Sequence, residues 1–489
     1  MPAAPSASSP PSPERPGGPG NPEGPGNPRN PGNPPPTAPD PALLRKVALS
    51  SLLGTVIEYY DFLLYGTMTA LVFGRLFFPE SNPTVGTIAA FGTLAAGYVA
   101  RPVGGAVFGH FGDRLGRKTV LIVTMVLMGA ASCLIGLLPT YATIGVAAPV
   151  LLILFRIVQG IAIGGEWGGA TLMVVEHADA RRRGLWNGVM QMGSPIGFLL
   201  SSLAVTAITL LPQDRFEAWG WRIPFLFSGL LLGVGLYVRV SITESPLFQQ
   251  AARAREERTG AEPPRIPLAQ VLRAPRVLVL ACAVGIGPFA LTALIGTFML
   301  TYAKAVGYET SDVMTGLTAT SLTGLVAIPG FSALSDRLGR RAVSLGGAAG
   351  IVLLAFPIYA LINTGSVTLL ILGMVLGQVV QNAMYAPLGP LLSEMFGTRV
   401  RYTGASMGYQ LAALIGGGFV PLYASSRLSA SGDISSTPLA TLAMVCGLIT
   451  ALAVWRTAET RGRDLSEEPA GALPEDLPED LPEGPGVTA

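Results

Sequence analysis

Glu58 and Asp61 stand three residues apart in an otherwise apolar run, with Tyr65 one helical turn further on. On a helix that spacing puts both carboxyls on one face. A charge inside such a run costs at least a few kcal/mol unless something neutralises it. A proton can do so reversibly, which suits the pair to proton coupling. Arg156 sits in a second apolar run, within Arg-x-x-Gln-Gly. A guanidinium does not shed its proton, so Arg156 needs a carboxylate partner or an anionic cargo group, and Gln159 can face the same space. Glu166 and Trp167 lie in Gly-Gly-Glu-Trp-Gly-Gly. The glycines let helices or cargo come close, and Glu166 is either a second protonatable group or a carboxylate bonding across a helix pair. Arg101, just before Pro102, is placed either to snorkel to the surface or to reach a binding site. Glu176 and His177 end their run and are expected to pair with nearby arginines.

These residues need elements to hold them, and composition says which. Half of the 489 residues are hydrophobic, 13% are charged, and mean hydropathy is +0.50. A soluble chain carries about 25% charged residues. Apolar runs near the length that crosses a bilayer recur along the chain. Twelve are expected, at about 45–72, 84–108, 119–139, 148–175, 184–211, 221–240, 277–303, 312–334, 342–362, 366–395, 402–425 and 436–457. With the N-terminus inside the cell, 25 of the 32 Lys and Arg residues fall on the cytoplasmic side. That asymmetry is the one membrane proteins show, and it puts both termini in the cytoplasm and the chain in the cell membrane.

The spans divide into a six-helix bundle over 41–240 and another over 277–457, joined by a charged loop at 241–276 whose stretch 251–265 has a helical pattern. Residues 1–40 hold 15 prolines and almost nothing apolar, and residues 458–489 are acidic and proline-rich. Both read as disordered tails. Cys133, Cys282 and Cys446 are far apart inside apolar runs and read as small apolar residues. No His, Cys and carboxylate cluster has metal-ligand spacing, so no metal or cofactor is expected. A net charge of +2 offers no basic field for nucleic acid. No nucleophile and base pair suggests an intramembrane enzyme.

Each half carries one copy of Asp-Arg-Leu-Gly-Arg, at 113–117 and 336–340. Gly116 and Gly339 let two helices turn tightly, and each Asp can accept hydrogen bonds from a helix N-terminus. The loops resemble the signature of the major facilitator superfamily. Further stretches, TVIEYYDFLLYG, FRIVQGIAIGGEWGGA and RYTGASMGYQLAALIGGGFVP among them, resemble its metabolite:H⁺ symporter family, which includes shikimate, α-ketoglutarate, citrate and proline/betaine transporters. The tenth span departs from that pattern and carries Gln378, Gln381, Asn382 and Tyr385 without a charge.

The resemblance implies an all-α membrane fold of two pseudo-symmetric six-helix bundles, with alternating access to a mid-membrane site. It gives Arg156 a role in proton coupling beside Asp61, Glu58 and Glu166. Gly109, Asp113, Arg114, Gly116 and Arg117, with Asp336, Arg337, Gly339 and Arg340, are expected to form a cytoplasmic gate latch. Cargo contacts are expected from Tyr65, Arg101, Gln159, Trp167, Gln191, Thr292, Gln378, Asn382, Tyr409 and Gln410, with Ser194 and Thr297 nearby. The expected activity is proton-coupled import of a small organic acid or zwitterionic osmolyte by a monomer, with H⁺ as coupling ion. A uniporter or exporter is the alternative, and a non-transporting sensor is the reading from a different class.

Overall fold

The structure is a computed structural model that describes residues 41–79, 83–244, 249, 267–398, 400–430 and 435–465. The proline-rich tail, the loop stretch 251–265 and the acidic repeats after 465 lie outside the described residues. Among those described, the ordered elements are all helical. Twelve long helices follow one another: α1 Pro41–Phe77, α2 Pro83–Leu115, α3 Arg117–Leu137, α4 Ala147–His177, α5 Arg183–Thr209, α6 Arg222–Val240, α7 Pro275–Thr297, α8 Thr310–Leu338, α9 Arg340–Ile362, α10 Val367–Met395, α11 Arg401–Ala430 and α12 Thr437–Arg456. Ten are long and apolar enough to cross a membrane by length and composition; α2 and α11, which face each other, fall outside that set. At 33 residues, α2 still reaches roughly 50 Å at 1.5 Å per residue.

Packing follows the repeat. In the first half α1 packs on α4, α5 and α6, α2 on α4, and α3 on α4 and α6. In the second half α7 packs on α10, α11 and α12, α8 on α10, and α9 on α10 and α12. Adding six to each number converts one set into the other. The halves meet through α2 on α11 and α5 on α8, which are again related pairs. Lipid-facing surfaces stay apolar: Val99, Leu203, Val326 and Leu353 are all exposed.

Local chemistry explains the irregular points. Gly116 and Gly339 each make a one-residue turn between two helices, both at φ +105. An L side chain is strained there. Pro288 interrupts α7 and has no N–H to give Val284. Thr450 of α12 repairs the gap: its hydroxyl lies within hydrogen-bond reach of the Ala283 and Val284 carbonyls and accepts from Gly287 N–H at 2.8 Å. Just beyond, Thr292–Thr297 winds as a π-helix, a bulge often found at functional sites.

One boundary differs from expectation. Residues 458–465 are docked on the bundle, although several of them stay exposed. The Glu459 carboxylate accepts from Arg340 and Arg341 N–H at 2.9 and 3.1 Å. The Arg463 and Leu465 carbonyls accept from Arg183 and Arg401 at 2.6 and 2.7 Å. A helix N-terminus and two buried guanidinium groups need acceptors, and this polar segment supplies them. Glu244, after α6, does the matching job for Arg117 and Lys118 N–H, both at 3.0 Å.

The α2–α11 contact is close enough to test. A Cβ at Gly109 would stand 2.7 Å from Thr403 Cα, a backbone atom that cannot rotate away. Gly109→Val should therefore separate the ends of α2 and α11. Spin labels on those ends should read a longer distance than in the parent protein, and an unchanged distance would contradict the packing.

Candidate functional site

The twin loops join the halves at the arginine-rich end of the bundle. Asp113, ending α2, accepts from Tyr402 and Thr403 N–H at 3.3 and 3.1 Å and from the Thr403 hydroxyl at 2.8 Å. Asp336, ending α8, accepts from Gly184 and Leu185 N–H at 2.9 and 2.8 Å. Each carboxylate thus caps the first turn of a helix in the other half, where free N–H groups and the helix dipole favour negative charge. The last arginine of each loop is the buried one. Arg117 lies 3.5 Å from Glu176 and 3.7 Å from Asp113. Arg340 pairs with Asp336 and lies 3.5 Å from Glu394. Arg401 reaches Glu176 from the other half at 3.5 Å. Arg114 and Arg337 are exposed.

Deeper in, aromatic rings close the interface. The Tyr59, Tyr385 and Tyr409 hydroxyls form a triangle with edges of 2.8, 3.1 and 3.4 Å. Trp167 stacks on Tyr409 with ring centroids 3.5 Å apart. Gln410 donates to the Ile163 and Gly164 carbonyls of α4, both at 3.3 Å. These residues tie the halves together below a central cavity. The cavity wall carries Tyr59, Phe62 and Phe198, the hydroxyls of Ser194, Ser202, Thr292, Thr297, Thr320 and Ser321, and the amides of Gln378, Gln381 and Asn382. No charged side chain lines it among the described residues.

Asp61 lies elsewhere. It points into the first half, where the Ser132 hydroxyl of α3 and the Ser228 hydroxyl of α6 both donate to it. Gln159 Nε2 donates to Ser132 Oγ at 2.7 Å, and Arg156 Nη1 donates to Gln159 Oε1 at 3.1 Å. The Arg156 guanidinium stands over the Tyr65 ring at 4.2 Å, a favourable contact for a buried cation. The Tyr65 hydroxyl lies 2.6 Å from Thr93 Oγ1. Asp61 and Arg156 are therefore linked through two neutral side chains rather than as a direct ion pair.

Of the expected cargo contacts, Thr292, Gln378 and Asn382 line the cavity, as do Ser194 and Thr297. Tyr65 and Gln159 do not; they belong to the Asp61–Arg156 chain. Trp167, Tyr409 and Gln410 form the floor, and Gln191 is fully buried beside Tyr385. Arg101 neither snorkels nor lines the cavity. It is 7% exposed and lies over the Tyr98 and Phe62 rings at 4.7 and 5.1 Å, with Phe62 between it and the cavity. Glu166 is paired with Arg239 at 2.9 Å, the cross-helix arrangement of the two readings. Glu58 is buried and has no hydrogen bond or ion pair among the described residues; Arg101 is the first charge that opposes its own.

The sequence reading missed Ser132, Ser228, Tyr59, Phe62 and Phe198. Serine in an apolar span was a weak signal, because such hydroxyls usually bond their own helix. Ser132 also has the Met128 carbonyl within reach at 3.1 Å.

The family model of the Major Facilitator Superfamily matches residues 51–421. The inner membrane metabolite transport protein YhjE of Escherichia coli (strain K12) is 39% identical, covering 86% of this chain and 95% of that protein. The shikimate transporter of the same organism is 40% identical over 80% and 91% of the two chains. The proline/betaine transporter of Salmonella typhimurium is 34% identical over 86% and 85%. Among solved structures, the proton:xylose symporter XylE bound to 6-bromo-6-deoxy-D-glucose aligns with TM-score 0.67 at 19% identity, covering 87% of this chain and 98% of that one.

Removing one latch should favour separation of the halves at the arginine-rich end. Asp336→Ala leaves two N–H groups of α5 without their acceptor, at a cost of about 1 kcal/mol or more. A cysteine placed at Ser332, buried at that contact, should then react faster with a water-soluble thiol reagent. Equal rates in both proteins would remove the latch role.

With two structurally matched halves, a duplicated signature loop and curated relatives across most of its length, the chain belongs to the major facilitator superfamily and is a multi-pass membrane transporter of metabolites rather than an enzyme.

Proposed function

We propose that the chain is a proton-coupled symporter importing a small polar metabolite, with Asp61 as the coupling carboxyl and the central cavity as the cargo site. The observation that carries this reading is the Asp61 environment: a fully buried carboxyl held by two hydroxyls, with no cation bonded to it. A charge so placed is costly in a membrane, and a proton removes it.

Ser132 makes the exchange reversible. While Asp61 is ionised, the Ser132 hydroxyl donates to it. Once Asp61 carries a proton, it can donate to Ser132 Oγ, and that hydroxyl turns to the Met128 carbonyl. The same oxygen accepts from Gln159, which holds Arg156, so the change at Asp61 reaches the guanidinium through two hydrogen bonds. Cargo binds against the aromatic wall of α1 and α5 and the amides of α10. Release requires the tyrosine floor and both Asp latches to part, which is alternating access by rocking of the halves.

The arginine-rich end faces the cytoplasm in this reading, because 25 of 32 basic residues belong to that side. Both termini then lie on the cytoplasmic side of the cell membrane. A single chain completes the path, so it works as a monomer, with H⁺ as coupling ion and no cofactor. Shikimate, proline and betaine, the cargoes named for relatives, form the first uptake panel.

In proteoliposomes, Asp61→Asn should reduce uptake driven by a pH gradient at least about tenfold while cargo counterflow persists. Cargo should also alkalinise the outer medium with the parent protein and not with the variant. Gradient-driven uptake that survives in Asp61→Asn would exclude Asp61 as the coupling site, and cargo entry without alkalinisation would favour a uniporter.

A further inference from the structure

The amides on the cavity wall have a fixed direction. A carbonyl can only accept, and the Pro288 carbonyl accepts from the Thr292 hydroxyl at 2.9 Å. The one hydroxyl proton is committed there, so Thr292 Oγ1 must accept from α10. The group that meets it at 2.9 Å is therefore the Gln381 amide nitrogen and not the amide oxygen. Gln381 Oε1 then faces Gln378, which must present its own nitrogen, at 3.1 Å. The same nitrogen donates to Asn382 Oδ1 at 3.2 Å.

Four side chains are thus oriented from one proline carbonyl, and the last turns its nitrogen away from the chain. Asn382 Nδ2 has no hydrogen-bond partner, although Asn382 is only 1% exposed and lines the cavity. Gly324 of α8 lies beside it. A Cβ there would stand 3.3 Å from Pro195 and 3.9 Å from Asn382 Nδ2, so glycine lets α8 pack closely on α5 and sets no side chain of its own against that nitrogen. A buried donor without an acceptor is costly to leave and rewarding to satisfy.

We propose that Asn382 Nδ2 is a specificity-determining donor that binds a carboxylate oxygen of the cargo in the corner beside Gly324. This rests on the reading of the cavity as the cargo site. The amide oxygens Gln381 Oε1 and Asn382 Oδ1 each already accept one bond from Gln378, whereas Asn382 Nδ2 makes none. What the corner offers is N–H, which fits a group that only accepts. No charged side chain lines the cavity among the described residues, so an anionic oxygen is met by neutral donors, and hydrogen bonds to a charged acceptor are the stronger kind.

The test is ligand binding to the purified full-length protein in detergent, with no gradient, followed by calorimetry and thermal shift. Two matched pairs serve as probes: glycine betaine against choline, and cyclohexanecarboxylate against cyclohexylmethanol. In each pair a carboxylate is replaced by a hydroxymethyl group. The parent protein should bind the carboxylate of at least one pair about tenfold or more tighter than its alcohol. Asn382→Asp keeps the shape and exchanges donor for acceptor; it should lose the carboxylate and keep the alcohol. Asn382→Ala should bind both equally weakly. Thr292→Val removes the anchor of the chain and leaves Asn382 in place; it should reduce the preference partly, and this variant decides the matter if the Asn382 variants fail to fold. A carboxylate preference that persists in Asn382→Asp or stays at the parent level in Thr292→Val, or that is absent from the parent protein, overturns the proposal. Because both members of a pair are compared at one pH and no gradient is applied, the preference is read without any coupled uptake. Loss of the preference in Asn382→Asp together with surviving gradient-driven uptake in Asp61→Asn would sink the coupling reading alone.

Discussion

A carboxylate at the end of one helix capping the start of a helix in the opposite half is the interaction on which the architecture turns. Asp113 does it for α11 and Asp336 for α5. Each bond satisfies backbone donors that would otherwise be orphaned in a partly buried contact. The two contacts are related by the same operation that relates the halves, so the molecule is held shut at one end by a symmetric pair. Breaking them exposes donors to water, which can replace the carboxylate. A joint of that kind is strong enough to define a state and weak enough to open.

Around this joint, charges are arranged by how they are neutralised. At the arginine-rich end, Arg117, Arg340, Arg401, Glu176 and Glu394 neutralise one another across short distances. Glu244 and Glu459 add the caps of α3 and α9. Deeper in the first half, Glu166 and Arg239 form a buried pair. Asp61, by contrast, is held by two hydroxyl donors and no cation among the described residues. In the second half the buried charges among the described residues, Arg340, Glu394 and Arg401, all belong to the arginine-rich end; its other buried polar groups are amides and hydroxyls. The repeat therefore preserves the joint and diverges in the interior, and the cavity amides come from the diverged half.

The sequence made the joint legible because it was doubled and because glycine at a one-residue turn has few substitutes. Gly116 and Gly339 share φ +105, as a duplicated turn should. The helix count was legible for a related reason: apolar length and arginine asymmetry are properties of whole segments. Asp61 and Arg156 were conspicuous as charges in apolar runs. Their partners were not, since Ser132, Ser228 and Gln159 look like ordinary helix residues until three helices converge. The same limit explains Arg101 and Gln410. A polar residue on a span can face a cavity, a neighbouring helix or an aromatic ring, and periodicity does not choose among them. The segment 458–465 was misjudged because its composition is that of a tail, while its carbonyls answer arginines far away in sequence.

For the symport proposed above, the separation of the proposed proton site from the proposed cargo site has a structural answer in α1. Tyr59, Phe62 and Leu63 face the cavity, while Tyr60, Asp61, Leu64 and Tyr65 are buried against the rest of the first half. Two faces of one helix carry the two sites. Tyr59 also reaches Tyr385 and Tyr409 of the other half, so any tilt or rotation of α1 alters the floor. A change in the bonds that Asp61 makes to α3 and α6 alters how firmly α1 is held to its own bundle. Cargo in the proposed site would press on Phe62 and Tyr59 and so act on the same helix from the opposite side. In the proposed cycle coupling needs no contact between proton and cargo; it needs a helix that both of them load, and α1 is the one whose residues line the cavity on one side and carry the buried Asp61 carboxyl on the other.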